Sequence, residues 1–259
     1  MANSGTGDSV VDREVRLIEA FPGGSAALQL SELADRAGLP LSTAHRLVRQ
    51  LAGHGLLELG AGGSVRLGLR LWELVNRNSP TLALRQAAMP FMEDIQQVLN
   101  QNVNLAVLDG WEALFVERLS RRGSVANRAR VAGRMPVHLS SAGLVLMAHR
   151  PAAAQAAYLR EFSDPDGRLG AGDVRTLLAR AARQGFAELA GVVDPDTWGI
   201  AVPVPDARQR TVAALGVVVP LQEMRLQALV PALQTAARGI GRRLGDSRGT
   251  GGFHSMEDL

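Results

Sequence analysis

The chain has 259 residues, 46% of them apolar, and a formal net charge of +3, enough for one large domain or two ordinary ones with a buried core. It contains no cysteine, which excludes disulfides, thiolate metal sites and cysteine nucleophiles; His45, His54, His138, His149 and His254 lack the close carboxylate spacing of a metal centre, so neither metal nor cofactor is expected. No run approaches the roughly 18 apolar residues of a membrane helix and the N-terminus lacks the pattern of a signal peptide, so the chain is expected in the cytoplasm with no membrane partner.

Residues 1–8 are small and polar, as is the tail over 246–259, and both are expected to be disordered. From Asp12 to Phe21, the residues Val11, Val15, Ile18 and Phe21 recur at helical spacing, and the turn PGGSAA stops that helix. In LSELADRAGL, Ser31 is the expected cap, Leu33 and Ala37 face inward, and Gly38 supplies a left-handed stop. Pro40 fixes the next turn, and a third helix is predicted over 42–54 with Ser42 as its cap. Ala44, Leu47, Val48 and Leu51 form its buried stripe, and the opposite face carries Ser42, Thr43, His45, Arg46, Arg49 and Gln50. The sequence LLELGAGGSVRLG then alternates as two short strands around a glycine-rich tip, with Arg66 on the return strand.

Helices follow in RLWELVNRN and LALRQAAMPFMEDIQQVLNQ, where Pro90 is read as a first-turn or kink residue. Asn104–Leu108 and Ala113–Leu119 read as strands flanking the hairpin pair Asp109-Gly110. Three helices are predicted around 142–149, 152–162 and 172–185, then two strands in GIAVPVPDARQRTVAALGVVVP and a closing helix over 222–244. That order argues an α+β domain with an antiparallel sheet. The expected division is a DNA-binding domain over 9–69, a linker helix over 70–84 and a sensor domain over 85–245.

Two short helices joined by a glycine-containing turn, the second with one buried and one polar face, followed at once by a β-hairpin, make the plan of a winged helix-turn-helix. Ser42 and Thr43 at the helix N-terminus suit a phosphate, while His45, Arg46, Arg49 and Gln50 reach toward base edges, where Arg matches guanine and Gln adenine. Arg66 and Arg70, on the wing and just after it, would hold the backbone. His54 reads as structural. All 28 basic residues are Arg, so the pI of about 10.6 says little, because nothing titrates in the alkaline range before Arg does. The distribution says more: Arg36, Arg46, Arg49, Arg66 and Arg70 face a single acid, Glu58, a local charge of 5 − 1 = +4. A winged helix can also bind only protein, which leaves an interaction module as the alternative to DNA binding. The run Arg118, Arg121, Arg122, Arg128, Arg130, Arg134 has no interleaved aromatic and reads as a solvated face. His138, Ser140 and Ser141 are close in sequence, but no G-x-S-x-G elbow accompanies them, and no catalytic residue is assigned.

LSELADRAGLPLSTAHRLVRQLAGHGLLE with the following VRLGLRLWEL resembles the IclR family of transcription regulators, and the resemblance continues through VNLAVLDG, GRMPVHLSSAGLVLMA, RQGFAEL and GIAVPVPD to VAALGVVVP. It covers roughly Val10 to Leu244, and STAHRL is its most specific stretch. It implies a repressor or activator, here read as a repressor, that dimerises through its DNA-binding domains, assembles as a homodimer or homotetramer, and reads inverted-repeat operator DNA. It further implies a GAF-like C-terminal domain holding a small-molecule effector, with Met135, Ser141, Ala142, Trp198, Ile200, Gly216 and Val218 at the matching positions. Several polar positions of the family are apolar here, at Leu144, Val192, Gly199, Pro205, Gly216 and Val218. A lining so depleted of charge suits a flat or apolar ligand; the alternative is a sensor domain that has lost its ligand and serves only oligomerisation.

Overall fold

The computed structural model describes residues 8–22, 27–120, 123–125, 127–164, 167–223 and 225–246. Nearly all of the two terminal segments expected to be disordered lies outside the described residues. The chain divides into two units, Met1–Ser79 and Pro80–Leu259.

In the first unit, α1 (Val10–Glu19) is capped by Ser9, whose hydroxyl accepts from Asp12 N while the Asp12 carboxylate accepts from Ser9 N. Its buried residue is Leu17, whereas Val11 and Val15, which recur at helical spacing, are exposed. The helices α2 (Leu30–Arg36) and α3 (Leu41–Gly53) meet across the turn at Gly38, whose φ of +64° is the left-handed stop expected there. Neither Ser31 nor Ser42 is a cap. The capping positions lie two residues earlier, at Gln29 and Pro40, and neither has a side-chain cap. Gln29 enters α2 directly from strand β1 (Leu28–Gln29), and Pro40 already holds the extended ψ of 140° that a capping residue needs. Strands β2 (Leu57–Leu59) and β3 (Ser64–Leu67) form the wing, and β3 pairs on its other side with β1, a strand too short for its sequence to announce. Leu17, Leu33, Ala44, Leu47, Val48, Leu51, Leu57 and Val65 close the core. Helix α4 (Leu69–Asn78) completes the unit. It ends before an extended Ser79, as the ring of Pro80 requires of the preceding residue, so 80–84 belong to the next helix and not to a linker helix running over 70–84.

The second unit is built on a six-stranded antiparallel sheet of order β6-β5-β4-β9-β8-β7, the α+β architecture expected. Its strands are β4 (Asn102–Asp109), β5 (Glu112–Leu119), β6 (Arg134–Pro136), β7 (Ala187–Ala190), β8 (Thr197–Pro205) and β9 (Thr211–Pro220). The edge strands β6 and β7, of three and four residues, are too short to show a periodicity. One face of the sheet packs on α5 (Pro80–Leu99) and α9 (Leu226–Asp246), around Leu84, Met92, Leu105, Ile200 and Leu233. Pro90 sits in the interior of α5, not in its first turn. The two helices approach closely enough that a Cβ on Gly239 would overlap the Phe91 ring. The other face packs on α6 (Ser141–Ala148), α7 (Ala152–Glu161) and α8 (Ala171–Gln184), around Phe115, Leu144, Met147 and Leu178.

Candidate nucleic-acid interface and ligand cavity

The outward face of α3 is set by its buried stripe. With Ala44, Leu47 and Val48 at or near zero exposure, Ser42, His45, Arg46, Arg49 and Gln50 are forced to solvent, while Thr43 is half-buried. Arg46 Nη1 donates to Gln50 Oε1 at 3.0 Å, one helical turn away, so a guanidinium and an amide are presented side by side. On the wing, Arg66 lies opposite Glu58 and pairs with it at 2.6 Å; Glu58 also accepts from Leu69 N, and these contacts hold its carboxyl below its ordinary pKa. Arg36 is paired with Glu32 at 2.8 Å. The +4 segment therefore leaves Arg46, Arg49 and Arg70 without a carboxylate partner among the described residues, and Arg66 is a less available cation than its sequence position suggests. His54 is exposed and closes α3 through its backbone N–H.

Between the sheet and the N-terminus of α6 lies a cleft partly open to solvent. Met135, Ser141, Ala142, Gly216 and Val218 line it. Trp198 does not: it is 1% exposed and packs on the opposite face of the sheet. Side chains alternate along a strand, and Gly199 faces Ser141 across the cleft, so Trp198 and Ile200 must point the other way; Ile200 borders the cleft, but its side chain belongs to the core with α5 and α9. Of the positions where the family's polar groups are replaced, Val192, Gly199, Gly216 and Val218 are on the cleft, whereas Leu144 is buried in the core and Pro205 lies outside it.

The expectation of a nearly uncharged lining also needs correction. Asn104, Asn127 and Arg128 face the cleft along with Phe115, Leu139 and Leu189. The loop after β5 is fastened over the sheet by polar side chains: Asn102 Nδ2 donates to Val125 O at 2.8 Å, Arg118 Nη1 to Ala129 O at 2.8 Å, and Asn127 Nδ2 to Asn104 Oδ1 at 3.0 Å. The arginine-rich stretch is thus not one solvated face, since Arg118 ties the loop, Arg134 pairs with Asp109 and Arg128 borders the cleft. Arg121 and Arg122 lie outside the described residues.

His138 and Ser140 form no nucleophilic pair. The Ser140 hydroxyl caps α6 by accepting from Gly143 N at 3.3 Å, and His138 turns away, its Nδ1 3.1 Å from Tyr158 Oη and its Nε2 3.8 Å from Asp164. Burial lowers the His138 pKa and outweighs the opposing pull of Asp164. No cluster of three metal-ligating side chains occurs among the described residues, and no helix there is long and apolar enough to cross a membrane.

Two family models match the chain: the IclR helix-turn-helix domain over residues 10–59 and the bacterial transcriptional regulator IclR C-terminal domain over 79–242. An IclR homolog from Microbacterium hydrocarbonoxydans, solved in complex with 4-hydroxybenzoate, is 43% identical with a TM-score of 0.83, the match covering 91% of this chain and 99% of that one. The transcriptional regulator XynR of Escherichia coli is 26% identical over 91% of this chain and 96% of its own. Transcriptional repressor IclR of the same organism is 27% identical over 52% of this chain and 51% of its own. The two Escherichia coli relatives are named as a transcriptional regulator and a transcriptional repressor.

Proposed function

Because the chain belongs to the IclR family of bacterial transcriptional regulators, we propose that it is a repressor that reads an inverted-repeat operator as a dimer and is controlled by an aromatic carboxylate. The observation that carries the DNA half is the α3 face, where Arg46, Arg49 and Gln50 stand outward beside a wing within the matched helix-turn-helix segment. Ser42 and Thr43 at the start of the helix suit a phosphate, His45 adds a donor, and Arg66 and Arg70 serve the backbone. A repressor role accords with the relative named as one. A gel shift with the DNA upstream of the gene and its neighbours, at two salt concentrations, tests this reading; absence of retardation at low salt overturns it.

Dimerisation is supported by α4. None of its described residues is buried, and Leu69, Trp72, Leu74 and Val75 are exposed, Trp72 by 65%. A ten-residue helix is marginal by itself, and an unburied apolar face on it calls for a partner. A second copy satisfies this and supplies the two-fold symmetry of an inverted repeat. Trp72→Glu is expected to shift the protein to a smaller species in sedimentation and to weaken operator binding with it; an unchanged mass overturns this assignment.

For the effector, a cleft with apolar walls and a few polar groups fits a flat carboxylate, and a relative with 43% identity binds 4-hydroxybenzoate. At a hundred times its dissociation constant such a ligand stabilises by about 2.7 kcal/mol. That corresponds to a rise of about 5 °C or more in melting temperature for a domain of this size. If neither 4-hydroxybenzoate nor other aromatic or aliphatic acids raise it, the sensor domain has no such ligand and acts in assembly.

A further inference from the structure

Asn104 is 6% exposed and stands on β4 beside Gly216 of β9, at the floor of the cleft. Its neighbours fix the orientation of its amide. The backbone N–H of Ala129 can only donate, and it donates to Asn127 at 3.0 Å, so that end of the Asn127 amide must be Oδ1. Asn127 therefore offers its Nδ2 to Asn104, and Asn104 must answer with Oδ1. This leaves Asn104 Nδ2, with two N–H donors, engaged by no hydrogen bond among the described residues. Asn104 lines the cleft, so an acceptor on a bound ligand can meet this donor there. The adjacent Gly216 leaves that side of the floor bare; a Cβ there would come within 2.8 Å of Ile200 O and 3.2 Å of Ala201 Cβ. Arg128, next in sequence to Asn127, borders the same cleft, and with Asp194 it gives the described lining one fixed charge of each sign.

We propose that Asn104 is the specificity-determining residue of the cleft: its –NH₂ donates to the ligand's carboxylate while its carbonyl, through Asn127, holds the loop segment that carries Arg128. The inference rests on the reading of the cleft as a carboxylate effector site. An –NH₂ that only donates demands an acceptor from the ligand, which a carboxylate supplies and an amidinium does not. One residue thus selects the ligand and holds Asn127, beside Arg128, at the cleft.

The test is calorimetric titration of full-length wild type and Asn104→Asp with 4-hydroxybenzoate and with 4-hydroxybenzamidine. Aspartate keeps an acceptor for Asn127 but turns a carboxylate oxygen to the ligand. Asn104→Asp is expected to weaken 4-hydroxybenzoate by about 10- to 100-fold and to bind the amidine more tightly than wild type does. A merely structural role would lower both ligands together and produce no inversion, and that result overturns the proposal, as does affinity for 4-hydroxybenzoate within about threefold of wild type. Should the variant fail to fold, wild type decides: the side-chain amide resonances of Asn104 must shift on saturation with 4-hydroxybenzoate, and unmoved resonances overturn the proposal. If wild type binds no carboxylate at all, the effector reading falls and this inference with it; if wild type binds and Asn104→Asp is indifferent, only the inference falls.

Discussion

Trp198→Ala is expected to lower the stability of the second unit by about 3–5 kcal/mol while leaving the order of ligand preference in the cleft unchanged. Trp198 is among the largest fully buried side chains and belongs to the core that β8 and β9 share with α5 and α9. Truncation to Ala removes the whole indole from a close-packed layer, and the surrounding strands, hydrogen-bonded on both sides, can collapse into the gap only in part. The cleft lies across the sheet, beyond Gly199 and Gly216. Urea unfolding gives the stability loss, and thermal shifts with a panel of acids give the ranking. A variant that keeps its stability within about 1 kcal/mol but reverses the ranking would return Trp198 to the ligand site and overturn the geometry described for β8.

The family resemblance puts Trp198 at the cleft, and nothing local in its strand says otherwise. A strand covered by helices on both faces is apolar throughout, so TWGIAVPVP carries no alternation from which to tell one face from the other. Gly199 was the available signal, since a glycine between large residues marks a close approach, here to Ser141. Asn102 and Asn104 were a second signal: two amides spaced by two in an otherwise apolar strand share a face, and buried amides must find partners. Their partners lie more than twenty residues away in the loop at Val125 and Asn127, which no local pattern announces. By contrast, the buried stripe of α3 was legible because one face of that helix is wet, and periodicity needs such contrast. The valines of α1 show the opposite failure. Val11 and Val15 recur at helical spacing yet are exposed, because periodicity finds an apolar face without saying whether this chain is what covers it.

The arginines of the DNA-binding unit differ in what already holds them. Arg46→Ala and Arg49→Ala are each expected to weaken specific operator binding by about 10- to 100-fold, from the 1–3 kcal/mol that a good base contact contributes. Arg46 is already oriented by Gln50, so Gln50→Ala should cost affinity through a less ordered Arg46 as well as through its own lost contact. The double variant need not equal the sum, because the two arginines sit three residues apart on one face. Arg66 should behave differently from Arg70. Its guanidinium is held by Glu58, and a phosphate must compete with that carboxylate, whereas Arg70 has no carboxylate partner among the described residues. Arg70→Ala is thus expected to reduce the salt dependence of binding by about one unit of slope without changing sequence preference, and Arg66→Ala by less. Titrations at several salt concentrations measure both slopes. Equal slopes for the two variants would mean that the Glu58 pair opens on DNA at little cost, as an exposed ion pair worth under about 1 kcal/mol can, and the wing would then grip the backbone as strongly as the segment after it.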